Sequence, residues 1–369
     1  MKVIHICQRD DPATGGAVRV AVELVKRLPK YNIDSRLLFL YGSRSQFGMQ
    51  IGDHCDYLGI RNSQDIFYFH RLNKYLSSQK PDIIHHHDGL LWPQLLTLFH
   101  PNYKKIIHSH SLPLNKPKSL KAFLLRKCFT FSANAVIYPT EAIKDDQYKN
   151  GGFRENILYV IHNGVDINHF TPSSPDQKNR SREILGLPKH APVIGFVGRL
   201  HNIMKGTDDF LRVIAALPSE FLGLIVGTGP DLENLKKQAK KLNIENRVHF
   251  EGLLSDTAIA YRAMDIFCFT SRFEPFGLVI LEAMASNVPV VGFQCRGGAN
   301  EILTNTTGEV IENRDLNRMA EAIKSAYNQV SICKKRVSTA RNLVETQYNW
   351  DISTELLAKL YTFIMSKKD

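Results

Sequence analysis

The chain of 369 residues lacks the features that indicate a membrane-spanning, disulfide-stabilised or zinc-binding protein. No apolar run approaches the roughly 20 residues that a membrane-spanning helix needs. The 6 cysteines are scattered without a C-x-x-C pair, and most lie in apolar stretches. This pattern favours reduced, buried thiols and a cytoplasmic protein over a disulfide framework or a zinc site. At the amino terminus, the short apolar run Val3–Cys7 predicts a strand rather than a signal peptide.

Acidic residues are absent between Asp88 and Glu141, although basic residues are frequent there. The basic residues are Lys104, Lys105, Lys116, Lys118, Lys121, Arg126 and Lys127. Residues 118–131 predict a basic, apolar helix whose two sides are poorly separated, because Lys127 interrupts the apolar face. We expect residues 104–131 to bind an anionic membrane surface, or else to form an ordinary solubilising surface, and we expect no nucleic-acid partner.

Length and pattern indicate two α/β domains. A chain of 369 residues exceeds what a single core usually holds. Short apolar runs alternate with helical segments in each half, which is typical of parallel sheets. Residues 171–190 lose this apolar character and predict a linker. We therefore expect a first domain over residues 1–170 and a second over residues 191–349.

One strand–loop–helix unit in the second half carries the most informative pattern. Residues 266–270 predict a buried strand, residues 271–277 a loop, and residues 278–286 a helix that leads to another strand. Open α/β sheets bind ligands at such loops, where unpaired N–H groups and the helix dipole favour anions. The N–H groups of Gly277 and Leu278 are therefore expected to meet a phosphate.

Two carboxylates accompany this unit. Glu274 lies in the loop, and Glu282 lies on the helix with apolar neighbours on every side. A carboxylate in such surroundings needs hydrogen-bond donors. The hydroxyls of a ribose would supply them to Glu282; alternatively, Glu282 caps or salt-bridges a neighbouring loop.

Two cations follow the strand expected at residues 192–197. Arg199 and Lys205 lie in the loop after this strand, and parallel strands bring such loops to one edge of a sheet. Two cations and a helix amino terminus make a diphosphate site that needs no bound divalent cation. With Glu274 and Glu282 holding hydroxyls on either side, the expected ligand is a sugar nucleotide.

Histidines follow two strands of the first half. His85, His86 and His87 are adjacent, and successive residues of a strand alternate faces, so the three imidazoles cannot converge on one metal ion without a sharp turn. We therefore expect no metal site there. His108 and His110 end the next strand; each is either a substrate contact or a partly exposed loop residue.

In their order and spacing, these features resemble the retaining glycosyltransferases of family 4. The resemblance runs from Met1 to about residue 365. It rests on Gly15-Gly16 after the first strand, Asn163–Asp166, Gly198-Arg199-Leu200, Lys205-Gly206, Gly227–Pro230, the E-x7-E pair Glu274 and Glu282, Pro289–Val291, and Gly297-Gly298 with Glu301. It implies the GT-B fold, with two Rossmann-like domains facing each other across a cleft and residues 350–369 joining the first.

The resemblance also implies a role for each site residue. Arg199 and Lys205 would bind the donor diphosphate and stabilise the leaving group, Glu274 would hold the transferred sugar, and Glu282 the ribose. The other donor-binding positions would be Gly15, Gly16, Phe276, Gly277 and Leu278. His110 matches the family's cleft histidine at the reacting centre, with His108 as its rival.

The implied reaction moves a hexosyl unit from a UDP-sugar or GDP-sugar to a saccharide acceptor with retention, without a cofactor or metal. The acceptor would be lipid-linked, in surface polysaccharide synthesis, and the enzyme peripheral at the inner face of the cell membrane. Three alternatives share the fold: a sugar-nucleotide epimerase, a phosphorylase or synthase acting on soluble sugars, and a non-catalytic partner subunit.

Overall fold

A computed structural model describes residues 1–11, 16–60, 65, 67–87, 103–110, 132–151 and 154–367. The chain divides into two compact units, one formed by Met1–Asn163 with Trp350–Asp369 and the other by Gly164–Asn349. Each unit contains one parallel sheet, and helices connect many of its strands within the described residues. The prediction of two Rossmann-like α/β domains is therefore confirmed.

The sheet of the first unit has seven strands in the order β3-β2-β1-β4-β5-β6-β7. They are β1 (Lys2–Arg9), β2 (Asp34–Tyr41), β3 (Cys55–Ile60), β4 (Ile83–His87), β5 (Lys104–His108), β6 (Ala135–Tyr138) and β7 (Leu158–Val160). All five residues of β4 are buried, as expected for a central strand with helices on both faces. The strand order reverses between β1 and β4, which is where open α/β sheets bind their ligands.

The described helices of the first unit are α1 (Gly16–Arg27), α2 (Gln46–Ile51), α3 (Tyr68–Gln79), α4 (Glu141–Gly151) and the carboxy-terminal α13 (Trp350–Ser366). Gly16 thus opens α1, whereas the predicted donor residue Gly15 lies outside the described residues. Helix α13 packs near α1, where the Arg27 guanidinium lies 6.0 Å from the centre of the Trp350 ring. An ion pair of 3.3 Å joins Lys30 to Asp351.

The sheet of the second unit has the order β10-β9-β8-β11-β12-β13. Its strands are β8 (Val193–Val197), β9 (Leu222–Val226), β10 (Val248–Gly252), β11 (Ile266–Phe269), β12 (Val290–Phe293) and β13 (Glu309–Ile311). Its helices are α5 (Pro175–Ile184), α6 (Asn202–Lys205), α7 (Thr207–Ala216), α8 (Leu232–Lys241), α9 (Ala258–Ala263), α10 (Leu278–Ala285), α11 (Leu316–Asn328) and α12 (Val330–Gln347). The strand order reverses between β8 and β11. Because these neighbouring strands are parallel, the loops that follow them lie at the same edge of the sheet.

The expected linker over residues 171–190 is instead structured and belongs to the second unit, which begins at Gly164. Helix α5 occupies half of it, and Ser174 caps this helix by accepting the Gln177 N–H over 3.2 Å. Arg182 of α5 is 3% exposed and donates to Asp265 over 2.7 Å. Arg182 thereby fixes α5 to the second unit. The polar composition of residues 171–190 alone does not indicate this contact.

Most of the basic segment 104–131, including the helix expected at residues 118–131, lies outside the described residues. Of its cations, Lys105 is buried on β5, and this burial lowers its pKa. Lys105 therefore does not contribute to a basic surface, because residues of a central strand point into the covering layers. No helix in the described parts of the chain is long and apolar enough to cross a membrane.

Candidate functional site

Two loops at the carboxyl edge of the second sheet are joined through their backbones. Strands β8 and β11 are neighbours, so the loops that follow them lie side by side. The N–H groups of Arg272 and Phe273 donate to the Met204 carbonyl oxygen over 2.7 and 3.1 Å. The Thr270 hydroxyl donates to the Lys205 carbonyl over 3.1 Å. These bonds fix α6, which ends at Lys205, against the loop after β11.

Gly206 makes this close approach possible. Its φ of +61° lies in the left-handed region, which L-residues with a side chain rarely adopt. A Cβ atom at this position would lie 2.2 Å from the Thr270 carbonyl oxygen. The residue after Lys205 must therefore be glycine if the two loops are to keep their spacing.

The Lys205 ammonium contacts the Glu274 carboxylate across the two loops. Only 21% of the lysine side chain and 10% of the glutamate side chain are exposed, so solvent screens their attraction less than at a surface. The Ser271 hydroxyl donates to the same carboxylate oxygen over 3.3 Å. The fold thus brings Lys205 and Glu274 together, and it adds Ser271, which the sequence pattern did not single out.

The other predicted donor contacts differ in exposure. Arg199 is exposed, and its guanidinium forms no ion pair within the described residues. Helix α10 begins at Leu278 after Gly277, and no side chain caps its amino terminus. A free guanidinium and an uncapped helix terminus both suit an anion. Phe276 is 4% exposed and packs against the Tyr348 ring, so only its backbone remains for a ligand.

Glu282 on α10 is 2% exposed. The Tyr261 hydroxyl lies 2.8 Å from a carboxylate oxygen of Glu282, to which it donates, and 3.2 Å from the Val279 carbonyl. Tyr261 comes from α9 and was absent from the predicted site. It supplies a structural partner for the buried charge, and the ribose contact of Glu282 stays a prediction.

A charged network holds the loop after β11 in place. Asp208 and Asp209 lie in the first turn of α7, and Arg272 donates to both over 2.7–2.9 Å. Arg314 donates to Asp209 over 2.5 Å and to the Thr270 carbonyl over 2.8 Å. Burial is the largest single influence on the pKa of Asp208 and would raise it, but the hydrogen bonds from Arg272 together with the charges of Arg272 and Arg212 lower that pKa on balance. The sequence pattern did not indicate these positioning residues.

In the first unit, five histidines from three neighbouring strands and the residues after them have their rings in contact: His5 on β1, His85 and His87 on β4, His108 at the end of β5, and His110 just after it. The register places His5 beside His85 and His87 beside His108. His5 Nδ1 lies 2.9 Å from His87 Nε2, and His87 Nδ1 lies 2.9 Å from His110 Nε2. Both predicted candidates, His108 and His110, belong to this cluster; their ring centres are 4.1 Å apart. His108 is buried whereas His110 is partly exposed, so His110 is the one that a ligand can reach.

The expectation that no metal site forms here considered one strand only. As expected from alternation, His86 does not join the stack; burial first, and then the charge of Lys105, lower its pKa to about 3. Neighbouring strands, however, contribute the missing partners. Two groups, His5 with His85 and His87, and His87 with His108 and His110, each bring three ring nitrogens within 4.8 Å of one another.

Burial keeps the inner imidazoles of this cluster neutral. It lowers the pKa of His5 to about 3 and is the largest cause of the low pKa values of His85, His87 and His108, to which neighbouring imidazoles add. His85 Nδ1 lies 2.5 Å from the Tyr361 hydroxyl of α13. Within the described residues, neither ring nitrogen of His108 has a hydrogen-bond partner.

Comparisons with known families match both units. A model of the family "Glycosyl transferases group 1" matches residues 177–343, and one of "Glycosyltransferase Family 4" matches residues 14–169. The two matches meet close to the boundary between the units at Gly164.

Two curated relatives illustrate the similarity. The D-inositol 3-phosphate glycosyltransferase of Corynebacterium kroppenstedtii is 31% identical over 244 residues, which are 62% of this chain and 53% of the relative. The GDP-mannose-dependent monoacylated alpha-(1-6)-phosphatidylinositol monomannoside mannosyltransferase of Corynebacterium glutamicum is 33% identical over 213 residues, 54% of this chain and 55% of the relative. The chain thus spans about half the length of the curated relatives it matches.

A solved structure supports the fold over the whole chain. HepE of Anabaena, in complex with UDP and glucose, has a TM-score of 0.84 and 22% identity, and the match covers 98% of this chain and 99% of HepE. With both units matched by family models and both sheets of the Rossmann-like kind, the chain belongs to glycosyltransferase family 4 and has the GT-B fold.

Proposed function

We propose that the chain transfers a hexosyl unit from a UDP-sugar or GDP-sugar to a saccharide acceptor and retains the anomeric configuration. The observation that carries this proposal is the Lys205–Glu274 contact, on two adjacent loops, just before the uncapped amino terminus of α10. A cation, a carboxylate and a row of N–H groups at one edge match a ligand that joins a diphosphate to hydroxyls.

The proposed role of this site is to stabilise the negative charge that develops on the leaving group. The nucleoside diphosphate gains negative charge as it departs, and the half-buried Lys205 and the guanidinium of Arg199 supply the countercharge. Arg199 is suited to this because its exposed guanidinium forms no carboxylate pair within the described residues. With two cations and the terminus of α10, we propose that no divalent metal ion is required.

Glu274 is proposed to hold the transferred sugar. Its carboxylate accepts from Ser271 and contacts Lys205, which together fix its orientation. In the donor complex, Lys205 would turn toward the phosphate, and the carboxylate would accept hydrogen bonds from hydroxyls of the hexose. Glu282, oriented by Tyr261, would accept those of the ribose.

Retention is proposed to follow from attack on the face that the diphosphate leaves. The bond from C1 to the phosphate oxygen breaks, the bond from C1 to the acceptor oxygen forms, and the acceptor proton passes to the departing phosphate oxygen. His110 would contact the sugar at this centre. The hydrogen bond between His110 Nε2 and His87 Nδ1, at 2.9 Å, is suited to holding its ring in one orientation.

The acceptor is proposed to be a lipid-linked saccharide presented at an anionic membrane surface on the cytoplasmic side. Two observations support this class. The substrate named for the Corynebacterium glutamicum relative is an acylated phosphatidylinositol mannoside. In this chain, the basic residues between 104 and 131 are not offset by any acidic residue.

Product analysis tests the reaction class. The chain would be incubated with UDP-glucose, UDP-galactose, UDP-N-acetylglucosamine or GDP-mannose in the presence and absence of glycolipid acceptors, and the glycosidic proton coupling measured by NMR. An α-linked product from an α-linked donor is expected. An inverted linkage would contradict retention. A changed sugar nucleotide formed without acceptor would replace transferase by epimerase, and free disaccharide phosphorolysis would indicate a phosphorylase.

A further inference from the structure

We propose that His87, His108 and His110 form a binding site for a borderline transition-metal ion such as Zn²⁺ at the carboxyl ends of β4 and β5. One ring nitrogen of each histidine lies within 4.8 Å of the others. His87 and His108 are each 2% exposed, whereas His110 is partly exposed and gives the ion a route in. Neither the family nor the proposed reaction requires a metal here.

The chemistry of the three side chains suits such an ion. Neutral imidazole is the preferred nitrogen ligand of Zn²⁺, Co²⁺, Ni²⁺ and Cu²⁺, and buried rings of this kind are neutral. His108 provides an independent indication, because both of its buried ring nitrogens lack a partner within the described residues. Burying a polar nitrogen without a partner is costly, and a metal bond would satisfy one of the two.

Binding requires the side chains to rotate, because imidazole lone pairs lie in the ring plane and the His108 and His110 rings are stacked with their centres 4.1 Å apart. A tetrahedral ion with metal–nitrogen bonds of about 2.0–2.1 Å places its ligand atoms roughly 3.4 Å apart. His87 Nδ1 and His110 Nε2 are already 2.9 Å apart, and they would exchange their hydrogen bond for bonds to the ion. His108 must close a gap that starts within 4.8 Å. Three imidazoles leave the fourth position for water.

The deeper group of His5, His85 and His87 is the poorer choice. All three are at most 2% exposed, so the group has no member open to an entering ion. In addition, His85 Nδ1 is already engaged by the Tyr361 hydroxyl at 2.5 Å. The outer group shares His87 but has neither restriction.

Metal binding would have a functional consequence, which rests on the proposed function. An ion held by His110 would withdraw that imidazole from the transferred sugar. The site is therefore inhibitory: Zn²⁺ is expected to lower the rate of transfer, and a chelator to restore it. Binding of the ion itself does not depend on what reaction the chain performs.

Calorimetric titration of the chelator-dialysed full chain with Zn²⁺ alone tests the site. We expect one equivalent to bind, and His108→Ala to weaken binding by at least about tenfold, since loss of a ligand costs no less than loss of its supporting partner. His70→Ala, on an exposed position of α3, is the matched control and should bind as the wild type does. Absence of binding with a dissociation constant below about 100 µM would overturn the proposal.

The remaining outcomes separate the possible sources of binding. Equal affinity in His108→Ala and wild type would overturn the site, as would loss of binding in His5→Ala alone. If His108→Ala does not fold, X-ray absorption of the Zn²⁺-loaded wild type decides: three imidazole ligands support the site, and fewer overturn it. A chain that is inactive when free of metal but binds Zn²⁺ through three imidazoles would count against the proposed function and in favour of the metal site.

Discussion

Replacement of Gly206 by alanine should damage both stability and transfer, because this glycine sets the distance between the two loops that carry Lys205 and Glu274. Its φ is +61°, and an added Cβ would lie 2.2 Å from the Thr270 carbonyl oxygen. Gly186 offers a matched control. Its φ is +64°, but a Cβ there would meet nothing within 4 Å.

The two variants should therefore differ by the cost of the overlap. A left-handed conformation costs an L-residue about 1–2 kcal/mol, and both variants bear this cost. Only Gly206→Ala must also separate α6 from the loop after β11, which costs a further ~1–3 kcal/mol, as overpacking does. For a domain of this size, each kcal/mol lowers the melting temperature by about 2–4 °C.

Transfer should separate the variants more sharply. A shift of about 1 Å between Lys205 and Glu274 is expected to lower turnover by on the order of 100-fold. Gly186→Ala should keep wild-type turnover, since Gly186 is exposed and follows α5. Thermal unfolding and initial rates at saturating donor would be measured for both. If Gly206→Ala unfolded at the same temperature as Gly186→Ala and kept full turnover, the spacing of the loops would not matter and the reasoning would be refuted.

Further perturbations address the other parts of the site. Glu282→Gln should chiefly raise KM for the donor, because ribose contacts are present in ground and transition states alike; a fall in kcat at unchanged KM would contradict this. Tyr361→Phe should lower the free energy of unfolding by about 1–3 kcal/mol, since it leaves the buried Nδ1 of His85 unpaired; an unchanged melting curve would argue against that hydrogen bond. A chelator should leave transfer largely intact, and activity restored only by added divalent metal would show that Arg199 and Lys205 are insufficient. Vesicle binding should require anionic lipid, weaken with salt and disappear when the basic residues of the 118–127 segment are replaced by serine; no binding at low salt would remove the membrane from the proposal. The residues replaced are Lys118, Lys121, Arg126 and Lys127.

Periodicity located most elements of the second unit to within one or two residues. The strand expected at residues 192–197 is Val193–Val197, and the helix expected at residues 278–286 is Leu278–Ala285. Strands that are buried on both faces appear in the sequence as short apolar runs between turn residues. In the amphipathic helices between them, apolar residues recur with the period of a helix. Local sequence carries that information, so the fold class was predictable.

Elements with few apolar residues were missed. The polar composition of residues 171–190 predicts a linker, although Ser174 and Gln177 have the spacing of a capping box, which the structure contains in α5. The buried side chains of α5 are Ser181 and Arg182, and the partner of Arg182, Asp265, lies more than 80 residues away. A helix that is held to its domain by polar partners far away in the sequence shows no periodic pattern of apolar residues.

The residues of the candidate site also differ in whether the sequence predicts their roles. The meeting of Lys205 with Glu274 was predictable, because parallel strands deliver their loops to one edge. Tyr261, Ser271 and Arg314 were not, since their roles depend on contacts that only the folded chain creates. Predicting the histidine cluster requires the register of three strands, whereas the alternation of residues in the sequence describes only one strand at a time.

The turnover of Lys205→Ala at saturating donor, without added metal, tests the proposed role of this site most directly. Lys237→Ala on the exposed face of α8 is the matched control and should keep wild-type turnover. Loss of one donor aimed at developing charge lowers turnover by on the order of 100-fold or more, so this is the result expected for Lys205→Ala. Equal turnover of Lys205→Ala and wild type would contradict the assignment of Lys205 to the departing diphosphate.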